Sequence, residues 1–258
     1  MSAASVILER RGGCAIVILD NPRELNALTA AMLAELGGTF EALEQDDGVR
    51  SIVVTGRGKR AFCAGADIGD WGEMQPFEFA RDWILPGHRL FDRIATLPKP
   101  VLAAVNGHAF GGGLELLAAC DLRIAVPGAE FALPEASIGV VPGWSGTQRL
   151  ARQMPPAIVR EMALTGARIG AERAYRIGFL NGIAEADPVV SAVALAERAA
   201  ALAPRSVEIA KYMIGAACGE SRDAMIDALA GALAATTADK AEGVEAFRQK
   251  RQPEFSGE

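Results

Sequence analysis

The sequence predicts an α/β protein, with a core of helices and largely parallel strands followed by a helical C-terminal part. Three observations carry this. The runs SIVVT (51–55) and VLAAV (101–105) are apolar throughout instead of alternating, as in strands buried on both faces. Between residues 25 and 43, Leu25, Leu28, Met32, Leu36, Phe40 and Leu43 recur at helical spacing. Beyond Gln148 the pattern is almost wholly helical. A chain of 258 residues allows one large domain with an appendage. Pro188 and Pro204 mark a boundary, which gives a core over 1–195 and a helical region over 196–258.

Taken in order, residues 6–9 and 15–20 read as two strands joined through Arg11, Gly12 and Gly13. Asn21-Pro22 stops the second. The helix over 25–43 has Thr29 as a plausible N-cap and ends at Asp46-Asp47-Gly48. Strand 51–55 leads into a loop over 56–67. Residues 68–86 have mixed polarity and two tryptophans, Trp71 and Trp83, and read as a mobile or substrate-shaping region with a helical part. A helix over 89–97 closes at Pro98-Lys99-Pro100. Strand 101–105 ends at Asn106-Gly107, and the triple glycine 111–113 opens a helix over 114–120. Strands follow at 122–126 and 130–133. Helices are then expected over 156–165, 171–178, 188–202, 206–217, 222–235 and 240–250, with a short apolar step at Ile183 and Ala184.

Composition narrows the function. Half the residues are apolar but only 6% are aromatic, so the core packs through small side chains. A net charge of −6 argues against general nucleic-acid binding, which needs a basic surface, while leaving room for a local basic pocket. Cys14, Cys63, Cys120 and Cys218 form no CxxC pair, so neither a zinc site nor a disulfide framework is indicated. The first 13 residues lack a signal-peptide core, and no run of about 18 apolar residues suggests a membrane span. A cytoplasmic protein with reduced thiols is the plain expectation. His88 and His108 are the only histidines; His108, near the glycines, is a minor candidate for lining a site.

The stretch 101–150 holds the candidate chemistry. Gly112 precedes a helix, so its N–H lies at the positive end of a helix dipole with no Cβ to block a ligand. That suits one donor of an oxyanion hole. A second donor is expected from the small residues Ala64, Gly65 and Ala66 of the 56–67 loop. Glu115 in the first helical turn and Glu135 after Pro134 could face one cavity and divide acid and base work. On spacing alone, Glu115 reads first as a helix-dipole acid and Glu135 as a surface acid. The glycines match no GxGxxG pattern, and Gly58-Lys59-Arg60 is no P-loop.

The segments NGHAFGGGLELLAACD and FALPEASIGVVPGWSGTQRL strongly resemble the enoyl-CoA hydratase/isomerase (crotonase) superfamily. NPRELNALT, RAFCAGADI, LTGARIGAERAYRIGFLNGI and EGVEAFRQKRQPEF extend the resemblance over nearly the whole chain, in order. It implies a spiral of ββα turns with a C-terminal helical region that builds trimers or dimers of trimers. It implies no metal and no separate cofactor, since coenzyme A arrives as part of an acyl-CoA thioester substrate, and no membrane or nucleic-acid partner. By motif, the oxyanion donors fall on Ala66 and Gly112, and the two hydratase carboxylates on Glu115 and Glu135. Coenzyme A contacts fall on Arg23, Glu24, Leu25, Ala64, Asp67 and Ile68, and those reaching a neighbouring subunit's ligand on Phe247 and Lys250. Phe247 and Lys250 could equally be a solvated helix end. Gly69 stands where hydratases often have lysine, and Gly143-Trp144-Ser145-Gly146 where many have only small residues. Trp144 either reshapes the acyl pocket or packs in the core. The implied activity is reversible syn hydration of trans-2-enoyl-CoA. The alternatives are a carnitinyl-CoA dehydratase, an isomerase, or a non-catalytic CoA- or RNA-binding protein; a two-carboxylate glycosidase fits the few aromatics poorly.

Overall fold

The computed structural model describes residues 4–220 and 223–258 and divides into two compact units, Met1–Glu208 and Ile209–Glu258. In the first unit, β1 (Ser5–Arg11) and β2 (Cys14–Asp20) form an antiparallel hairpin turned at Gly12-Gly13. α1 (Ala30–Gln45) begins at Thr29, whose hydroxyl accepts the Met32 N–H at 3.1 Å. The helix is shorter than its apolar spacing suggests. Residues Pro22–Glu24 form a 3-10 turn, and Leu25 and Asn26 both take positive φ (53° and 58°). Leu25 and Leu28 therefore extend the apolar stripe from outside the helix.

The chain then repeats one pattern three times: a strand in a larger sheet, a strand in a smaller sheet, then helix. The first turn is β3 (Ser51–Gly56), β4 (Ala61–Cys63), α2 (Ile68–Trp71), α3 (Pro76–Glu78), a π-helical turn (Phe79–Ile84) and α4 (Leu85–Thr96). The second is β5 (Val101–Val105), β6 (His108–Phe110) and α5 (Gly112–Ala119). The third is β7 (Leu122–Ala125), β8 (Glu130–Ala132), a 3-10 turn (Glu135–Ile138), α6 (Gly146–Gln153) and α7 (Pro156–Thr165). Then come β9 (Ile169–Gly170), α8 (Ala171–Arg176), β10 (Gly182–Ile183) and α9 (Pro188–Ala200). The larger sheet runs β1-β2-β3-β5-β7-β10, parallel from β2 onward; the smaller runs β4-β6-β8-β9, parallel as far as β8. This is the expected spiral of ββα turns.

The continuous apolar runs have a direct cause. One face of the larger sheet packs Ile16, Val53, Leu102 and Ala104 against Ala192, Val193 and Ala196 of α9. The other face belongs to the main core, with Val17, Val54, Ala103 and Val105 in one cluster with Leu36, Phe40 and Phe91. A strand covered on both sides has no polar alternation to display. β4 and β6 escape a sequence reading because three residues are too few to show a period, so the 56–67 loop and the glycine turn each conceal a strand. Residues 68–86 are helical over most of their length, and the helix expected at residue 89 already begins at Leu85.

The second unit is helical, with the later part of α10 (Pro204–Ala217), then α11 (Asp223–Ala235) and α12 (Ala238–Gln249). Arg222, the expected start of one helix, lies outside the described residues. Among the described residues, no helix is long and apolar enough to cross a membrane.

Candidate active site

Two backbone segments are zipped together ahead of the site. Ala64 N–H donates to Leu25 O at 3.0 Å, Leu28 N–H to Gly65 O at 2.8 Å, and Asp67 N–H to Leu28 O at 2.9 Å. Leu28 and Ala66 form an isolated parallel bridge. In that pattern the bonds to Leu28 come from residues 65 and 67, so the Ala66 N–H points to the opposite side. There it meets α5. An ideal Cβ on Gly112 would lie 3.6 Å from Ala66 N, and one on Gly65 would lie 3.5 Å from Gly112 N. Gly112 is the first residue of α5, after Gly111 at φ 50°, so its N–H has no acceptor within the helix. The Ala66 and Gly112 amides thus sit side by side, brought there by adjacent strands β4 and β6 of the smaller sheet.

Buried amides hold the loop leading to β4. Asn106 accepts Gly56 N–H at 3.0 Å and donates to Gly58 O (2.9 Å) and Ala61 O (3.1 Å). Asn26 donates to Arg57 O (3.0 Å) and Ala61 O (2.8 Å). Neither asparagine was singled out by sequence; an amide side chain at the end of an otherwise apolar run was the available signal.

A cavity of about 240 Å³ opens beside the paired amides, and Ala66, Gly112, Glu115 and Glu135 all line it. Glu115 is 2% exposed. One of its oxygens accepts the N–H groups of Trp144 and Gly146, both at 2.8 Å. Burial pushes its pKa up; the amides of Gly146, Trp144 and Gly143, and then the charge of Arg149, pull against that rise. Glu135 sits on the 3-10 turn after β8, half-buried, and its Oε2 has no hydrogen-bond partner in the protein. Burial is the main cause that raises its pKa to about 7, with a smaller contribution from the negative charge of Glu115. The pair is therefore neither a dipole acid nor a surface acid. It is two carboxyl groups in one cavity, one fixed by backbone amides and one free to bond a ligand.

The rest of the cavity wall is apolar and aromatic: Trp71, Phe79, Trp83, Ile84, Ile138 and Trp144 take part. Trp144 is both core and wall. It is 2% exposed and packs against Trp83 and Phe91, with ring centroids at 5.5 and 5.2 Å. It fits only because two glycines flank it. A Cβ on Gly87 would come within 2.3 Å of the indole nitrogen, and one on Gly112 within 2.6 Å of the ring. The 68–86 segment supplies Trp71, Phe79 and Trp83, so its substrate-shaping character is visible in the cavity lining.

Of the other anticipated residues, Ala64 and Ile68 line the same cavity, and Asp67 caps α2 by accepting Gly69 N–H at 2.9 Å. Arg23 and Glu24 are exposed on the 3-10 turn beside Leu25. Leu25 lines a second cavity, with Lys59, Arg60 and His108. His108 thus belongs to that cavity and not to the carboxylate site; its ring stacks on Phe110. Phe247 (85% exposed, on α12) and Lys250, the residue just past it, belong to the second unit. Cys63 is buried, its thiol pushed up to about 12 by burial. Among the described residues, no group of three or more His, Cys, Asp or Glu is arranged to hold a metal. Gly146 stands in the sequence only as part of the departure around Trp144, yet a Cβ there would lie 2.2 Å from Glu115 Cγ.

The model of one protein family, described as enoyl-CoA hydratase/isomerase, matches residues 9–258. A short-chain-enoyl-CoA hydratase of Clostridium acetobutylicum is 36% identical over 257 residues, covering 98% of both chains. A carnitinyl-CoA dehydratase of Proteus mirabilis is 38% identical over 262 residues, again 98% of both. Among solved structures, an enoyl-CoA hydratase from Bacillus anthracis superposes with a TM-score of 0.80 at 31% identity, over 98% of this chain and 99% of that one.

Proposed function

This chain belongs to the enoyl-CoA hydratase/isomerase family, and from that premise we propose that it is an enoyl-CoA hydratase, adding water reversibly to trans-2-enoyl-CoA thioesters. The observation that carries the reading is the pair Glu115 and Glu135 in one cavity, beside the adjacent amides of Ala66 and Gly112. In this reading the thioester oxygen accepts both N–H groups. Water held by Glu115 attacks C3 and passes its proton to that carboxylate. The C2–C3 electron pair moves into an enolate whose charge rests on the thioester oxygen, where the two amides stabilise it. Protonated Glu135 then gives its proton to C2. In this reading both carboxyl groups act from one face of the double bond, so the addition is syn. Exchange with solvent resets the pair, and the reverse path dehydrates. No separate cofactor is required. Arg23 offers charge for the coenzyme A phosphates, with Lys59 and Arg60 at the neighbouring cavity.

A second reading has its own support. The cavity wall of Trp71, Phe79, Trp83 and Trp144 offers the aromatic faces that a quaternary ammonium group favours, and a carnitinyl-CoA dehydratase is among the relatives. One panel separates the readings by mass: enoyl-CoA thioesters of graded length gain one water under hydration, carnitinyl-CoA loses one under dehydration, and isomerisation changes no mass. Tight acyl-CoA binding with no turnover of any member would favour the non-catalytic reading instead.

Trp144 sets the reach of the acyl pocket in this proposal. Trp144→Leu is expected to raise kcat/KM for a longer enoyl-CoA relative to a four-carbon one by about tenfold. An unchanged ratio in a folded variant would leave the indole with a packing role only.

The second unit is the proposed oligomerisation region. It exposes Met213, Ile214, Ile226 and Leu233, apolar side chains whose burial between copies would favour a trimer or a dimer of trimers. Light scattering on the purified protein gives the assembly mass directly.

A further inference from the structure

Ser145 departs from ordinary backbone rules. Its φ is 68°, in the left-handed region that costs a residue with a side chain roughly tenfold in population. The residues on either side of it, Trp144 and Gly146, give their N–H groups to the same Glu115 oxygen. Two amides so close in the chain converge on one atom only if the backbone between them reverses, and the conformation of residue 145 sets that reversal.

A partly buried polar cluster grips this residue, with Ser145 and Arg149 buried and His88 and Asp92 partly exposed. Ser145 Oγ lies 2.8 Å from His88 Nδ1 and 3.4 Å from Asp92 Oδ1. His88 Nε2 lies 3.1 Å from Asp92 Oδ2, one turn further along α4. Arg149, 6% exposed on α6, donates through Nη2 to Asp92 Oδ1. Serine, histidine and aspartate together suggest a nucleophilic triad, but the geometry opposes it. Ser145 is 7% exposed and does not line the cavity, and Asp92 reaches both the serine and the histidine instead of orienting the histidine from behind.

We propose that His88, Asp92 and Arg149 clamp Ser145 in its left-handed conformation and thereby aim the Trp144 and Gly146 amides at Glu115. The four are positioning residues for that carboxylate. In its kinetic readout this rests on the hydratase reading; a second readout does not. Arg149 is the charged group acting on Glu115, which in turn acts on Glu135, and the titratable or charged groups around Ser145 are His88, Asp92 and Arg149.

The test compares Ser145→Ala, Ser145→Gly, His88→Ala and the Ser145→Gly/His88→Ala pair. Each is followed by kcat and KM on an enoyl-CoA, and by titration of the Glu115 carboxyl through carbon-13 NMR, with Glu115→Gln to assign the resonance. Ser145→Ala and His88→Ala should each lower kcat about tenfold with KM within about twofold, and should move the Glu115 titration to higher pH as its amide donors loosen. Ser145→Gly should recover most of both losses, because glycine enters the left-handed region without a clamp. Adding His88→Ala to Ser145→Gly should then do little. Equal losses in Ser145→Gly and Ser145→Ala, or a Glu115 titration unmoved in Ser145→Ala, overturn the proposal. His88→Gln replaces His88→Ala if the latter does not fold. If the wild-type protein hydrates no thioester, the hydratase reading fails while the NMR arm still decides the clamp.

Discussion

Glu135→Gln is expected to lower kcat for hydration about 10³-fold while KM moves by no more than about threefold, since it removes the proton donor and keeps the shape. The wild-type pH profile should point to the same residue. Its pKa stands at about 7 chiefly because it is buried. Hydration needs the protonated acid, so kcat/KM in that direction should fall as pH rises through about 7. Dehydration starts from the same singly protonated pair with the proton on Glu115, and adding water takes up no net proton. So kcat/KM for dehydration should also fall with rising pH through the same value. In Glu135→Gln this feature should disappear from the residual rate in both directions. Stopped assays across pH, run from enoyl-CoA and from the hydroxyacyl-CoA product, test both halves. Glu135→Gln with wild-type turnover would remove Glu135 from the proposed chemistry.

Gly113→Ala is the second large effect, and it comes from a residue outside the reacting groups. A Cβ at Gly113 would lie 2.1 Å from the Cys63 carbonyl oxygen and 2.8 Å from its carbon. These are backbone atoms of β4, so the strand itself must move away from α5. Ala66 follows β4 by three residues and Gly112 opens α5, so moving the strand away from the helix separates the side-by-side amides. Loss of one oxyanion donor typically costs about 10²–10³ in rate, and overpacking costs about 1–3 kcal/mol of stability. The expected outcome is kcat reduced at least 100-fold (an order-of-magnitude figure) together with a lower melting temperature. A folded Gly113→Ala protein with full activity would show that the β4–α5 contact does not set the amide spacing.

The sequence carried much of the fold for a specific reason. Strands covered on both faces leave long apolar runs, so β2, β3 and β5 are legible, and Thr29 announces α1 by its capping chemistry. Of the smaller sheet, β8 is legible at 130–133, while β4 and β6 are hidden inside a loop and a glycine turn, three residues each with pairing partners tens of residues away. The same holds at the site. Glu115, Glu135 and Gly112 stood out as isolated acids and a glycine turn, but nothing local tells that Glu115 is bonded to amides 29 and 31 residues further on. Trp144 left two readings open because a lone tryptophan cannot reveal that Gly87 and Gly112 make room for it. Ser145 stands out in the sequence only as part of the departure around Trp144, since a positive φ at a serine is a property of the folded chain.

The arrangement of turns has a consequence for altering this protein. The paired amides lie just past neighbouring strands of one sheet, Ala66 three residues after β4 and Gly112 two residues after β6, so the strand pairing fixes where each of them sets out. That part of the molecule has little latitude. The wall formed by Trp71, Phe79 and Trp83 lies on an excursion between β4 and β5 that leaves the strand pairing untouched. Apart from Trp144, the aromatic wall therefore lies on a different piece of chain from the reacting groups. A transplant of residues 68–86 from a relative with a different acyl preference is expected to carry the preference with it, provided Gly87 is retained to seat Trp144.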